Sequence, residues 1–253
     1  MSKGKLYGIG VGPGDPELLT LKAKRIIESS PILAKPVKKP GEESVAFTIV
    51  RPVVDLSKVE VVDLLFGMTG DDSDYWEFGR KAGNQVIGYL SRGMDVALIT
   101  LGDVSIYSTF MYMEQYVRSK GYETEIVPGI PAFCGGAAKA RVPLTLGDQC
   151  LAVVPSAKDN PMLDEALGRF DNVVVMKAGK SVGKVLDMLK EKGYGPECVT
   201  VVSNVGMPDE YVGPADADRT YGYFTTLIVK KSFKKVCRWR RCRPSTSPPG
   251  DVW

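Results

Sequence analysis

At 253 residues the chain can form one large domain or two of ordinary size, and 44% hydrophobic with 25% charged residues is the composition of a folded globular protein. The sequence has no histidine, which removes the commonest general base and metal ligand and excludes serine-histidine and cysteine-histidine nucleophilic sites. The net charge of +3 is unevenly spread: from Lys230 onward there are eight basic residues and one acidic, leaving 25 basic and 29 acidic before it, a net of −4 that does not suit a nucleic-acid binder.

The chain opens on KLYGIGVGPGDPELLTLKA, Lys5 to Ala23. An apolar strand, Leu6 to Val11, leads into glycines at alternate positions (Gly8, Gly10, Gly12, Gly14), and Asp15-Pro16 starts a helix. Its apolar positions Leu18, Leu19, Leu21, Ile26 and Ile27 are expected to form one buried face. This is a strand-turn-helix ligand crevice in which glycine permits close backbone approach and Pro13 stiffens the loop. The spacing is not a dinucleotide fingerprint, because Pro13 and Asp15 stand where the third glycine belongs. The second strand, near Pro31 to Ala34, ends in Lys35-Pro36 and offers no carboxylate for an adenine ribose.

Strand and helix then alternate: a helix from about Glu42 to Val54, a strand Val59 to Phe66, a helix Ser73 to Ser91, a strand Asp95 to Leu101, a helix Ile106 to Ser119 and a strand Glu123 to Val127. Continuous apolar runs such as Val96-Ala97-Leu98-Ile99 belong to a parallel sheet covered on both faces. Two loops follow strand ends, Leu101 to Ser108 (LGDVSIYS) and Val127 to Ala132 (VPGIPA). Ligands of open parallel sheets bind outside the carboxyl ends of strands, so the three loops together point to a pocket. Taken singly, Asp103 as a helix cap and Gly129 as a turn residue are equally open readings.

Around Val142 to Gln149 the texture changes to a connection. Beyond it strands Cys150 to Val154, Asn172 to Lys177, Cys198 to Ser203 and Phe224 to Lys230, with helices Pro161 to Arg169 and Ser181 to Lys192, indicate a second α/β domain. The expected division is an N-terminal α/β domain over 1–145, a C-terminal α/β domain over 146–232 and a disordered basic tail over 233–253. A cleft between two such domains is a usual place for a small-molecule site. Gly179-Lys180-Ser181 is not a P-loop, since Val174 stands where its first glycine belongs; Ser181 is expected to cap the next helix.

The five cysteines are odd in number and lack a Cys-x-x-Cys, so neither a zinc site nor a disulfide framework is indicated. Cys134, Cys150 and Cys198 lie in apolar stretches and are expected to be small core residues in a reducing cytoplasm. No apolar run approaches the ~18 residues of a membrane span, and the N-terminus lacks a signal-like apolar stretch, so a cytoplasmic protein without membrane or nucleic-acid partners is expected.

The opening GIGVGPGDPELLTLKA, the GDVSIYS loop and the VPGIPA loop, in this order, resemble the three signatures of the tetrapyrrole methylases, and the similarity extends from about Lys5 to Lys230. Within the family, Lys35-Pro36-Val37 with Gly41 to Ala46 is most similar to the branch that methylates C-20 of precorrin-2 or cobalt-factor II in cobalamin biosynthesis. The resemblance implies a two-domain homodimer that holds S-adenosylmethionine between its domains and a tetrapyrrole in an adjoining trough. Carried over by position, it implies cofactor contacts at Pro13, Gly102, Asp103, Val104, Ile106, Pro131 and Ala132, and in the second domain at Met176, Asn204, Val205 and Thr226.

Two departures stand out: Pro36 replaces an aspartate found in uroporphyrinogen methylases of the family, and Val104 replaces the usual proline of Gly-Asp-Pro. Lys35, Lys38, Lys39 and Arg51 are candidate partners for the substrate's carboxylates, with solvated loop charges as the alternative. Tyr107, expected one turn into the helix after the second loop, is the candidate proton acceptor near the transferred methyl; no metal ligand set is implied. A methylase of the same fold for uroporphyrinogen III, RNA or protein, and a non-catalytic binder of S-adenosylmethionine or tetrapyrrole, are the competing readings.

Overall fold

The computed structural model describes residues 3–66, 72–155, 160–216 and 218–231. Within these, the chain divides into unit 1, residues up to 135 together with 204–210, and unit 2, residues 136–203 together with those from 211 onward. The connection expected at 142–149 falls inside unit 2. The expected tail, 233–253, lies outside the described residues.

Unit 1 is built on five strands: β1 (Leu6–Gly10), β2 (Ile32–Val37), β3 (Glu60–Leu65), β4 (Val96–Thr100) and β5 (Thr124–Val127). Their order is β3-β2-β4-β1-β5, and every neighbouring pair is parallel. Between them run α1 (Leu21–Ser29), α2 (Val45–Val50), α3 (Asp72–Leu90) and α4 (Phe110–Ser119). Side chains alternate across a strand, so each strand feeds two cores. Ile9, Leu33 and Ile99 pack with Ile26 and Ile27 of α1 and Ile49 of α2, while Leu6, Leu64 and Leu98 pack with Val86 of α3 and Phe110 and Met113 of α4. Gly79 and Gly83, one turn apart on α3, let α4 come close: a Cβ at Gly83 would sit 2.6 Å from the Tyr116 ring, and one at Gly79 3.0 Å from the Tyr112 backbone.

The first helix does not begin at Pro16. Pro16–Leu18 forms a short 3-10 turn, Leu19 is extended (ψ 129°), and α1 starts afresh behind the Thr20 hydroxyl, which accepts from the Ala23 amide at 3.1 Å. The interruption resets the helical phase. Ala23, Ile26 and Ile27 are buried, whereas Leu21 at the first helical position is 88% exposed and no single face includes Leu18 and Leu19. The second strand also runs on to Val37 through Lys35-Pro36. β4 pairs with β2 only at Ile32 to Ala34, so beyond Ala34 that flank of β2 needs no amide and proline is tolerated.

Unit 2 is a mixed sheet, β6 (Leu151–Pro155), β7 (Asn172–Met176), β8 (Val199–Ser203), β9 (Tyr211–Pro214) and β10 (Thr225–Lys230), in the order β6-β7-β10-β8-β9. β6 and β7 are parallel and the remaining pairs antiparallel. α6 (Pro161–Arg169) and α7 (Val182–Glu191) close its core through Leu163, Leu167, Val185 and Leu189. Ser181 occupies the cap position of α7 without a side-chain cap bond. Cys198 is buried and Cys134 half-buried, but Cys150 is exposed at the lead-in to the edge strand β6. Lys230, which opens the basic stretch, ends β10 as expected and is 1% exposed; its ammonium donates to Asn172 Oδ1 at 2.7 Å, and burial lowers its pKa. A further helix not expected from the sequence, α5 (Ala132–Ala140), follows the third loop.

The outer strand β5 is tied to its neighbours by Glu125, whose carboxylate meets Lys5 Nζ and Lys22 Nζ, each at 2.7 Å. Hydrogen bonds from Lys22 and Lys5 lower the Glu125 pKa from 4.5 to about 2. A depressed carboxyl pKa contributes stability that is complete above the unfolded value and is lost as pH falls through the folded one. Glu125→Gln should therefore be less stable than the wild type at pH 7, by at most about 1 kcal/mol for this partly exposed cluster. The difference should fade between pH 4.5 and about 2; urea titrations showing it unchanged at pH 2 would contradict this.

Candidate functional site

In unit 1 the carboxyl ends of β1, β4 and β5 carry the three loops singled out in the sequence, and backbone groups join them directly. The Gly12 amide donates to the Gly102 carbonyl at 3.1 Å and the Gly102 amide to the Gly12 carbonyl at 2.8 Å, an isolated bridge between the first and second loops. Gly12 and Gly102 both take left-handed backbone (φ 84° and 72°), which glycine adopts without strain. The second and third loops are joined by Asp103. Its Oδ1 accepts from the Ser105 amide at 2.8 Å and from the Ser105 hydroxyl, and its Oδ2 accepts from the Gly129 amide at 2.8 Å.

Burial pushes the Asp103 carboxyl up, but the bonds from Ser105, Gly129 and Val104 outweigh it and hold the pKa below the usual carboxylate range. Asp103 is thus neither a helix cap nor a free acid: α4 begins seven residues later, and the carboxylate is an internal cross-link. The loops approach so closely that side chains are excluded. A Cβ on Gly129 would lie 2.2 Å from the Gly102 carbonyl oxygen, and one on Gly10 would lie 2.6 Å from the Gly129 amide nitrogen.

At Gly102 a side-chain carbon would make only ordinary van der Waals contact. A Cβ built there meets nothing nearer than the Ala132 amide nitrogen at 3.8 Å and the Ile130 carbonyl at 4.0 Å. The second loop thus lies along the start of α5. Pro13 is buried against α5, where a Cβ on Gly135 would come within 2.9 Å of Pro13 Cγ. Val104 is fully buried in the core under α3 and α4, so only its backbone is left for a ligand.

The segment 204–210 belongs to the same unit and abuts the first loop: a Cβ on Gly14 would stand 2.2 Å from the Val205 carbonyl oxygen, and one on Gly206 would stand 2.4 Å from the Asp15 amide. Asn204 has φ 50° and donates from Nδ2 to Asp209 at 2.6 Å, and the Gly206 amide donates to Glu210 at 2.6 Å. The Asn204 side chain therefore shapes its own loop. Nine of the expected residues, Pro13, Gly102, Asp103, Val104, Ile106, Pro131, Ala132, Asn204 and Val205, so belong to unit 1 on segments built around these loops. Met176 and Thr226 belong to unit 2, where they are direct register partners on β7 and β10 and Thr226 is buried.

Tyr107 does not sit in a helix. It lies in the loop with φ 49°, three residues before α4, and is 42% exposed. The helix starts late because the loop is held first: the Ser108 hydroxyl lies 3.3 Å from the Thr100 hydroxyl and accepts from the Phe110 amide at 3.3 Å. Burial raises the Tyr107 pKa, so the phenol is neutral at physiological pH and acts as a donor. Left-handed non-glycine residues cost energy and collect at functional sites. Among the described residues they are Tyr107, Arg141, Lys177 and Asn204, and three of the four stand in or next to segments expected to hold ligand.

The candidate cations are differently placed. Lys35 on β2 pairs with its register partner Asp63, whose carboxyl it holds below the usual range, and it also lies 5.9 Å from the Phe47 ring centroid. Lys38 and Lys39 are exposed on the turn after β2, and Arg51 is exposed just past the end of α2. Among the described residues no group of three or more Cys, Asp and Glu could hold a metal ion, and no helix is long and apolar enough to cross a membrane. The Asp103 to Gly129 link and the Gly10, Gly102, Gly129 close approach were not legible in the sequence, because the partners are 26 residues or more apart.

Residues 5–219 match the family of Tetrapyrrole (Corrin/Porphyrin) Methylases. The chain is 33% identical over 238 residues, 91% of this chain and 97% of the relative, to a probable cobalt-precorrin-2 C(20)-methyltransferase of Methanocaldococcus jannaschii. It is 31% identical over 235 residues, 91% of this chain and 98% of the relative, to the cobalt-precorrin-2 C(20)-methyltransferase of Salmonella typhimurium. Its fold is that of a uroporphyrin-III C-methyltransferase from Thermus thermophilus solved with S-adenosylhomocysteine, at a TM-score of 0.67 and 20% identity, covering 92% of this chain and all of that one.

Removing the Asp103 carboxylate should loosen the third loop before it unfolds the unit. In Asp103→Ala the Gly129 amide should exchange with solvent at least about tenfold faster, the loss expected of a buried charge-assisted hydrogen bond. Unchanged exchange over 128–132 by mass spectrometry would show that the link carries no load.

Proposed function

Because the chain belongs to the tetrapyrrole (corrin/porphyrin) methylase family, and is therefore a methyltransferase, we propose that it methylates C-20 of precorrin-2 or of cobalt-factor II, with S-adenosylmethionine as donor. The observation that carries the choice of substrate is the near full-length match to two relatives named for that step. The proposed cofactor residues are those carried over by position: Pro13, Gly102, Asp103, Val104, Ile106, Pro131, Ala132, Asn204 and Val205 in unit 1, with Met176 and Thr226 in unit 2.

The residues fit such a group. At Gly102 the nearest groups are main chain, the Ala132 amide nitrogen and the Ile130 carbonyl, and the one buried acid nearby already has its partners within the protein. S-adenosylmethionine, when bound, supplies an electrophilic methyl on a sulfonium. The chain's task is to hold and orient, which can contribute roughly 7–11 kcal/mol toward the reaction. A reduced tetrapyrrole's meso carbon is electron-rich and needs no strong protein base, in keeping with a chain that lacks histidine.

For the substrate's carboxylates, exposed Lys38 and Lys39 are the better candidates of the four cations named; Lys35 is neutralised by Asp63, and Arg51 lies on the return toward β3. We extend the reading to a cytoplasmic homodimer, on the family resemblance alone.

The test is incubation of the purified chain with S-adenosylmethionine and precorrin-2 or cobalt-factor II, scored by mass spectrometry for the gain of one methyl. Gain with uroporphyrinogen III only, or with none, would overturn the C-20 assignment. In the same assay Tyr107→Phe should keep its single-turnover rate within about tenfold, because a neutral phenol is not the base; loss of a true general base costs about 10²–10⁴. A drop of that size would restore Tyr107 as proton acceptor.

A further inference from the structure

The first turns of α3 and α4 carry an aromatic cluster that the cofactor loops do not use. Tyr75 and Tyr112 are stacked, with ring centroids 5.6 Å apart and planes 19° apart. Trp76 stands edge-on to Tyr112, at 5.1 Å and 89°. The close approach of α4 at Gly79 presses Tyr112 against α3, yet Trp76 remains 48% exposed. Tyr75 and Tyr112 are half-buried, so the cluster presents the half-exposed indole of Trp76 backed by two further rings.

Topology says which edge the patch occupies. In a parallel sheet each connecting helix starts at the carboxyl end of one strand and runs back, so the first turns of α3 and α4 lie at the strand-end edge that carries the three loops. The second loop leads directly into α4: Phe110 packs its ring on β1 where a Cβ at Gly8 would be 2.3 Å away, and Tyr112 is two residues further on. One helical turn beyond Trp76, and so on its side of α3, stands the exposed cation Arg80.

We propose that Trp76, braced by Tyr112 and Tyr75, is the platform on which the flat face of the tetrapyrrole rests, with Arg80 receiving one of its peripheral carboxylates. This rests on the substrate class proposed above and adds the surface that binds it. An aromatic face matches the conjugated macrocycle, a guanidinium matches the carboxylates around it, and Tyr112 stands on the helix that follows directly from the second loop.

The test uses uroporphyrin III, a stable planar octacarboxylate, titrated into the full chain by its change in absorbance. Trp76→Ala and Trp76→Gln should each weaken porphyrin binding by about 10- to 100-fold, the range seen for aromatic stacking on a planar base. Trp76→Phe should retain affinity within about fivefold, and Arg80→Gln should weaken it by less than Trp76→Ala. S-adenosylhomocysteine binding, measured by calorimetry, should be unchanged in all four.

Porphyrin affinity equal to wild type in Trp76→Ala or Trp76→Gln, or no porphyrin binding by the wild type, overturns the platform. So does a shift from dimer to monomer in Trp76→Ala with porphyrin affinity intact, which would give the patch to a second copy of the chain. Methylation assays separate this from the substrate assignment. A wild type that binds porphyrin through Trp76 but does not methylate precorrin-2 refutes only the C-20 step, whereas methylation with an unchanged KM in Trp76→Ala refutes only the platform.

Discussion

The close packing of main chain against main chain at the carboxyl edge of the first sheet is the constraint from which the site follows. Gly12 and Gly102 exchange two hydrogen bonds, and Gly129 lies against Gly10 and Gly102 at distances no side chain permits. One carboxylate, that of Asp103, closes the arrangement by accepting from the loop on its other side. Each loop is thus hydrogen-bonded to its neighbour along this edge. Preorganised backbone of this kind suits a reaction in which two bound molecules must be aligned and little proton chemistry is asked of the protein.

That economy explains the residue types. The segments carried over from the family resemblance are mostly glycine, proline, alanine and valine, and Val104 turns its side chain wholly into the core. The polar side chains present are committed within the protein: Asp103 to Ser105 and Gly129, Asn204 to Asp209, Lys35 to Asp63. What these segments themselves offer a ligand is main chain and apolar surface, with exposed cations such as Lys38 lying outside them.

Much of this was legible in the sequence because the parallel sheet is encoded locally. Apolar runs such as Val96 to Ile99 can only be strands buried on both faces, and loops that follow parallel strands must share an edge, so the convergence of three loops followed from their order. What failed was phase and terminus. Leu21 looked like part of a buried face, but the extended Leu19 restarts the helix and turns Leu21 to solvent. Tyr107 was placed in a helix that starts only at Phe110, since the Thr100 to Ser108 contact holds the loop outward. β9 is not legible because Gly213 and Pro214 are poor strand formers that an edge strand tolerates, and the burial of Lys230 at the end of the expected last strand is not legible because its partner Asn172 is 58 residues away.

The most direct measurement is a crystal structure of the chain with S-adenosylhomocysteine. The account predicts ligand density in van der Waals contact with the Gly102 backbone and the Ala132 amide, with the Asp103 to Gly129 link intact. Density bound elsewhere, with the space over Gly102 filled only by solvent, would contradict it.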